Sequence, residues 1–255
     1  MNKFVNPLKK AGSIMSVIVC AGMLSACATP HNDKGDYANV DYDPIEPVNR
    51  GIFQFNHAID VVLLKPIAQG YNAIVPERGK VMVSNFVYNI KEPVTFVNSI
   101  LQADANNSFS TLWRFMLNST VGIGGLFDVA GEVGLKNRET GMGDTLAIYG
   151  ADAGPYIVIP IIGPSNVRDG IGRLGDYFTD PISYTKDPVL YSVVGVKTLD
   201  ARYHSLKVID DVYAHSLDPY ATFRSGYTQH RLAEIKSAIK ARQKSIDGTK
   251  SQDTK

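Results

Sequence analysis

"FMLNSTVGIGGLF", residues 115–127, carries no charge and is broken by Gly122, Gly124 and Gly125. One straight helix does not suit that glycine density, because each glycine costs backbone entropy and supplies no side chain to pack. The run is also shorter than the roughly 20 residues a helix needs to cross a bilayer. A second uncharged run, "AGPYIVIPIIGPSNV" at residues 153–167, is broken by Pro155, Pro160 and Pro164. Those prolines remove backbone donors that a lipid-exposed segment could not spare. Two readings are open. Both segments are buried turns and a strand-like hairpin of an ordinary domain, or they lie at membrane depth where irregular backbone lines a polar cavity or is covered by protein.

On either side of these runs the pattern is helical. "NSFSTLWRFMLN", residues 107–118, sets Phe109, Leu112, Trp113 and Met116 on one side. Upstream, Val48, Ile52, Phe55, Ile59 and Val62 recur at helical spacing after a capping Asp43, and Pro66 is expected to stop that helix. Downstream, residues 188–215 carry Leu190, Val194, Leu199, Tyr203, Leu206, Ile209 and Tyr213. A last amphipathic helix starts at Asp218-Pro219 and ends in the basic stretch of Lys236, Lys240, Arg242 and Lys244. The chain has 255 residues, 44% of them hydrophobic, enough for one sizeable core, and shows no repeat or clean linker. The expected fold class is therefore mainly α, with one domain at 42–244 and a polar, disordered tail at 245–255.

The N-terminus reads as an export signal. Lys3, Lys9 and Lys10 precede an uncharged stretch at residues 11–24, and small residues Ser25 and Ala26 follow. Leu24-Ser25-Ala26-Cys27 fits the bacterial lipoprotein pattern, in which the signal at 1–26 is cut and Cys27 is acylated. Cys20 is discarded with the signal, so the folded body has no thiol for a disulfide or a thiolate metal site. Residues 27–41 are polar and aperiodic, a tether between lipid and body. Ala28, in place of aspartate, points to the outer membrane by analogy with enterobacterial sorting. Loss of the three lysines leaves 23 basic against 25 acidic side chains, which argues against a nucleic-acid partner.

Catalytic signatures are missing. There is no Gly-x-Ser-x-Gly elbow, His-Glu-x-x-His helix or Walker loop, and the five histidines lack ligand spacing. Gly170-Ile-Gly-Arg-Leu-Gly175 matches the dinucleotide fingerprint in letters, yet no apolar strand opens into it, so close helix packing at small residues is the better reading. Asp210-Asp211 reads as a solvated helix face and His57 as a partly buried polar residue.

Four blocks together carry a family resemblance: "DPIEPVNRGIFQFN" at 43–56, "NIKEPVTFVNSILQAD" at 89–104, "RFMLNSTVGIGGLFDVAG" at 114–131 and "GPYIVIPIIGPSNVRDGIG" at 154–172. In that order, and with the lipobox, they resemble the MlaA (VacJ) family of outer-membrane lipoproteins. "GDTLAIYG" at 143–150 departs from the family, whose members more often have glycine after Thr-Leu and frequently tryptophan at the position of Tyr149. The resemblance implies a helical ring in the inner leaflet of the outer membrane with an amphipathic channel. It also implies association with trimeric porins, removal of phospholipids misplaced in the outer leaflet, and delivery to the periplasmic carrier MlaC. No cofactor and no catalytic residue are expected.

On that footing Gly122, Gly124 and Gly125, with Gly154, Pro155 and Tyr156, are candidates to shape or gate the channel, Tyr156 placing its polar tip at a wet surface. Phe53, Phe55 and Trp113 face either lipid or core, and sequence does not separate the two. A structural lipoprotein that supports porin or envelope assembly without moving lipid is the alternative; an envelope hydrolase is weaker, since no nucleophile and base stand out.

Overall fold

The computed structural model describes residues 42–253, and side chains through residue 246. The proposed signal, Cys27 and the tether lie outside the described residues. The first helix, α1 (Glu46–Ile59), does not stop before Pro66. It passes through a π-helical turn, Asp60–Leu64, into α2 (Lys65–Ile74), with helical dihedrals at both junctions. The wider turn is the reason: the Lys65 N–H donates to the Asp60 carbonyl five residues back, so the ladder is already shifted where proline lacks its donor. The helix ends instead at Val75, whose extended backbone is what a following Pro76 favours.

Helix α3 (Glu77–Leu101) follows, with Pro93 inside it, and turns back through Ala103 at φ 55° into α4 (Ala105–Thr120). The Asp104 side chain caps α4 by accepting from the Asn107 N–H at 3.1 Å. Two short helices, α5 (Val129–Glu132) and α6 (Met142–Ile148), lead to a two-stranded antiparallel hairpin. Its strands β1 (Tyr156–Ile159) and β2 (Gly163–Asn166) pair Tyr156 with Asn166 and Ile159 with Gly163. Then come α7 (Val167–Thr179), a 3-10 turn at Pro181–Tyr184, α8 (Asp187–His215) and α9 (Pro219–Asp253). The packed pairs close a ring: α3 on α8, α8 on α2, α1 on β1, β2 on α7, and α7 back on α3.

α9 runs into the stretch expected to be a disordered tail. Ser245 is buried, and its hydroxyl accepts from the Asn106 N–H at 3.5 Å, so contact with the start of α4 carries the helix past Lys244.

The hairpin is held by side chains in place of a third strand. Asn49 of α1 donates to the Tyr156 carbonyl (3.0 Å) and accepts from the Val158 N–H (2.9 Å). Asn56, two helical turns on, does the same for the Ile159 carbonyl (3.0 Å) and the Ile161 N–H (2.7 Å). Asn49 is 1% exposed. Asn49→Leu should therefore orphan two backbone groups and lower stability by about 2–4 kcal/mol. Asn56→Ala, beside the exposed Ile161 N–H, should cost within about 1 kcal/mol. Guanidinium unfolding in detergent reads both.

Candidate functional site

The helices present their faces the wrong way round for a water-soluble domain. Along α4 the buried side chains are Asn107, Thr111, Arg114 and Asn118, and the exposed ones include Phe109, Leu112, Trp113, Phe115 and Met116. α3 buries Ser84, Asn89, Glu92, Thr95 and Asn98 while Val81, Tyr88, Ile100 and Leu101 face outward. On the α1–α2 run Phe55, Val61, Val62, Leu63, Ile67 and Ile74 are exposed, Val62 to 79%. Phe55 and Trp113 thus lie outside. Phe53 turns inward, its ring 5.5 Å from those of Tyr220 and Phe223. Apolar surface at this density marks contact with an apolar phase or partner. Among the described residues no helix is long and apolar enough to cross a membrane.

The inward side is polar and highly charged. Arg114, 3% exposed, donates to Glu92 Oε1 (2.8 Å), to Asp128 Oδ1 (2.9 Å) and to the Leu135 carbonyl (2.6 Å). Burial pushes the Glu92 carboxyl up in pKa despite the guanidinium beside it. Asn118 donates to the same Asp128 oxygen (2.9 Å) and accepts from the Ala130 N–H (2.9 Å). Across the ring Arg202 grips Asp60 through two bonds at 2.6 and 2.9 Å.

The glycine-rich segment is a tight turn tied to α3. Ile123, Gly124 and Gly125 all have positive φ, at 53°, 70° and 94°. The Gly125 N–H donates to the Asn118 carbonyl at 2.7 Å, and Asn85 donates to the Leu126 carbonyl at 3.2 Å. A Cβ on Gly122 would stand 2.3 Å from the Phe127 carbonyl oxygen, and one on Gly125 2.4 Å from the Asn89 Cβ. Gly154 and Pro155 sit on other elements: Gly154 has φ 68°, and the Pro155 carbonyl accepts from the Val167 N–H at 3.2 Å. Tyr156 does not reach a wet surface. It is 5% exposed, packs with Tyr220 and Tyr227, and its hydroxyl has no partner among the described residues. The inward pleat of β1 aims the ring into the small core of Tyr156, Val158 and Tyr220.

A cleft of about 480 Å³ opens elsewhere, and none of those six residues lines it. Its walls are Lys91 and Thr95 of α3, Glu139, Thr140, Gly141 and Asp144 before and within α6, Arg173, Asp176, Tyr177 and Asp180 around α7, and Arg231 and Glu234 of α9. Close packing gathers these charges. Gly172, inside the dinucleotide-like string, lies against Gly143, where an added Cβ would stand 2.4 Å from the Gly143 nitrogen. The string is thus a helix–helix contact, as expected. Beside the cleft Asp169 accepts from Arg231 (2.8 and 2.9 Å) and from the Tyr227 hydroxyl (2.6 Å). Burial opposes ionisation of Asp169, but these bonds outweigh it and bring the carboxyl to about 2. Sequence reading did not single out Lys91, Arg173, Asp176 or Arg231. The signal that could have found them is polar residues at helical spacing opposite an apolar stripe.

Ser84, His204 and Asp200 meet between α3 and α8 but are not a hydrolytic triad. The Ser84 hydroxyl donates to Asp200 Oδ1 at 2.6 Å, so its proton is not aimed at the imidazole. His204 Nε2, at 2.9 Å from Ser84 Oγ, is also the nitrogen nearest Asp200, at 3.6 Å. His57 stacks on Tyr213 at 3.8 Å, and Asp210 pairs with Lys65 at 3.0 Å. Among the described residues no cluster suits a metal ion.

Gly125→Ala, which adds a clash to an unfavourable φ, should destabilise more than Gly124→Ala, which meets open space and costs only about 1–2 kcal/mol of backbone strain. Thermal melting of the two variants ranks them. The lowered Asp169 pKa stabilises the fold fully above about pH 4, the ordinary carboxyl value, and that stabilisation is lost as pH falls through about 2. Asp169→Asn should flatten the melting temperature across that acid window and lower it at pH 7.

The family model for the MlaA lipoprotein matches residues 41–234. An uncharacterised protein of Rickettsia bellii is 44% identical over 204 residues, 76% of this chain and 77% of its own. The intermembrane phospholipid transport system lipoprotein MlaA of Haemophilus influenzae is 32% identical over 227 residues, 87% of this chain and 89% of its own. A solved chain described under the structural basis for maintenance of bacterial outer membrane lipid asymmetry superposes with a TM-score of 0.68 at 32% identity, covering 76% of this chain and 98% of that one. The helical ring is therefore that of a known fold, and the chain belongs to the MlaA lipoprotein family.

Proposed function

We propose that this protein, anchored by an acylated Cys27 at the periplasmic side of the outer membrane, removes mislocalised phospholipids from the outer leaflet and passes them through its polar interior. A periplasmic carrier of the MlaC type receives them for return to the inner membrane, which maintains lipid asymmetry. Porin trimers are the proposed partners that the protein leans on. The observation that carries this reading is the inversion of the helices, apolar outward along α1–α2 and α4 and polar inward along α3 and α4. The name of the Haemophilus influenzae relative supports it.

The chemistry is partition, and no bond is made or broken. An unpaired polar or charged group costs several kcal/mol or more in hydrocarbon, so a head group crosses slowly unless a polar route replaces its water. A ring with an apolar rim and a wet interior supplies that route while its helices lie in the leaflet and do not span it. Several acyl chains on Cys27, at about 0.8 kcal/mol per buried methylene, hold it there.

In a deletion strain, outer-leaflet phospholipid accessible to a non-penetrating label should rise. Wild type should correct it and Cys27→Ala should not. Val62→Asp puts a charge on the outward apolar face of the α1–α2 run, at a side chain 79% exposed. In lipid that costs about 2.5–3.5 kcal/mol, whereas at a water-facing site it is worth within about 0.5 kcal/mol. The variant should lose membrane seating when combined with Cys27→Ala and should fail to correct surface lipid. Normal surface lipid in the deletion strain, redundancy excluded, would favour a structural role in porin or envelope assembly instead.

A further inference from the structure

The charged cleft holds a mismatch in its ion pairing. Most of its charges are matched: Lys91 with Glu139 (3.2 Å), Arg231 with Asp144 (2.9 Å) and Glu234 (2.7 Å), and Asp180 with Lys197 (3.2 Å). Two are not. Arg173 makes no hydrogen bond or ion pair among the described residues and stands exposed on the wall. Asp176 meets no cation within ion-pair distance among the described residues; its Oδ1 accepts from the Asn98 amide (2.9 Å) and the Met142 N–H (2.8 Å), and its Oδ2 faces Gly141, where a Cβ would stand only 2.6 Å away. The two residues are three apart on α7, about 4.5 Å along the helix axis, yet they do not pair with each other.

We propose that the cleft seats the head group of a zwitterionic phospholipid, Arg173 taking the phosphate and Asp176 the primary ammonium, so that the protein prefers phosphatidylethanolamine to phosphatidylglycerol. The proposal rests on the phospholipid-transport reading and adds the head-group class. The spacing suits it, because an ethanolamine phosphate sets its anion and cation two carbons apart. A guanidinium is suited to a phosphate by its fork of donors. An anionic head group would satisfy Arg173 alone and meet a wall with five carboxylates and three cations. Burial already raises the Asp176 pKa, the sign of a carboxylate short of a positive partner. An arriving ammonium supplies that partner and keeps the carboxylate ionised.

The test uses the full-length protein in detergent, incubated with vesicles of equal phosphatidylethanolamine and phosphatidylglycerol, followed by mass spectrometry of the lipid it retains. Wild type should enrich phosphatidylethanolamine over the vesicle ratio. Asp176→Asn should lower that ratio roughly two- to tenfold, the scale of one charge contact in a water-open cleft, with phosphatidylglycerol unchanged. Arg173→Gln should lower both lipids together, and Arg173→Lys should restore part of the loss. The proposal is overturned by a wild-type ratio at or below that of the vesicles. It is also overturned by an unchanged ratio in an Asp176→Asn variant that melts like wild type, or by unchanged lipid retention in Arg173→Gln. If Asp176→Asn does not fold, the wild-type ratio and the exposed Arg173 variant decide. Retention without selection sinks only the head-group claim, whereas no retained lipid in any form sinks the transport reading with it.

Discussion

The buried guanidinium of Arg114 shows the constraint under which the whole molecule is built. An outward face given over to apolar side chains leaves the polar groups only the interior, and there a charge depends on partners within the protein. Arg114 finds three acceptors on different stretches of chain: Glu92 on α3, Asp128 before α5 and the Leu135 carbonyl after it. Removal of one partner from such a buried pair typically costs about 3–5 kcal/mol, which gives the contact authority over the local chain path. Asp128 serves three neighbours at once, because it also holds Asn118 and caps α5 through the Gly131 N–H. The glycine turn between α4 and α5 has its positive-φ shape because both of its ends are fixed by that network and by Asn85 and Asn89.

The same inversion explains what could be read from the sequence. The spacing of Phe109, Leu112, Trp113 and Met116 states that α4 has an apolar face. It does not state what the face meets, because hydrocarbon and a protein core select the same side chains. α3 escaped notice for a related reason: its buried stripe is Ser84, Asn89, Glu92, Thr95 and Asn98, and Pro93 sits inside it. Pro66 misled in the opposite direction, since its local rule is correct for an α-helix and the chain evades it through a π turn. The glycine turn and hairpin were legible because φ restrictions and missing donors are local properties. The charged cleft was not. Lys91, Asp144, Arg173 and Arg231 are separated by tens of residues and become neighbours only through the packing of α3, α6, α7 and α9.

The polar interior also sets which residues have to be small. Gly172 and Gly143 let α7 and α6 approach to backbone contact, and that approach places Asp176 within reach of the Met142 N–H and Arg231 within reach of Asp144. A methyl group at Gly172 would push the two helices apart, and one at Gly143 would crowd the Asp169 carboxylate that Arg231 holds, although each would add apolar surface to bury. Glycine is favoured here for the electrostatics it permits nearby, beyond its own backbone freedom.

A densely paired interior holds its charges in place, and that alone does not move a ligand. The cleft differs from the Arg114 network in that its pairs are partly open to water and, among the described residues, one cation and one carboxylate are left over. Fully paired charges have little to gain from a visitor, because any new contact replaces an equally good one. Unpaired charges in a partly desolvated wall gain from a complementary ligand while water still screens them enough to let it leave. Loose pairing beside tight pairing thus suits the proposed seat for a charged head group, which has to be held and then released.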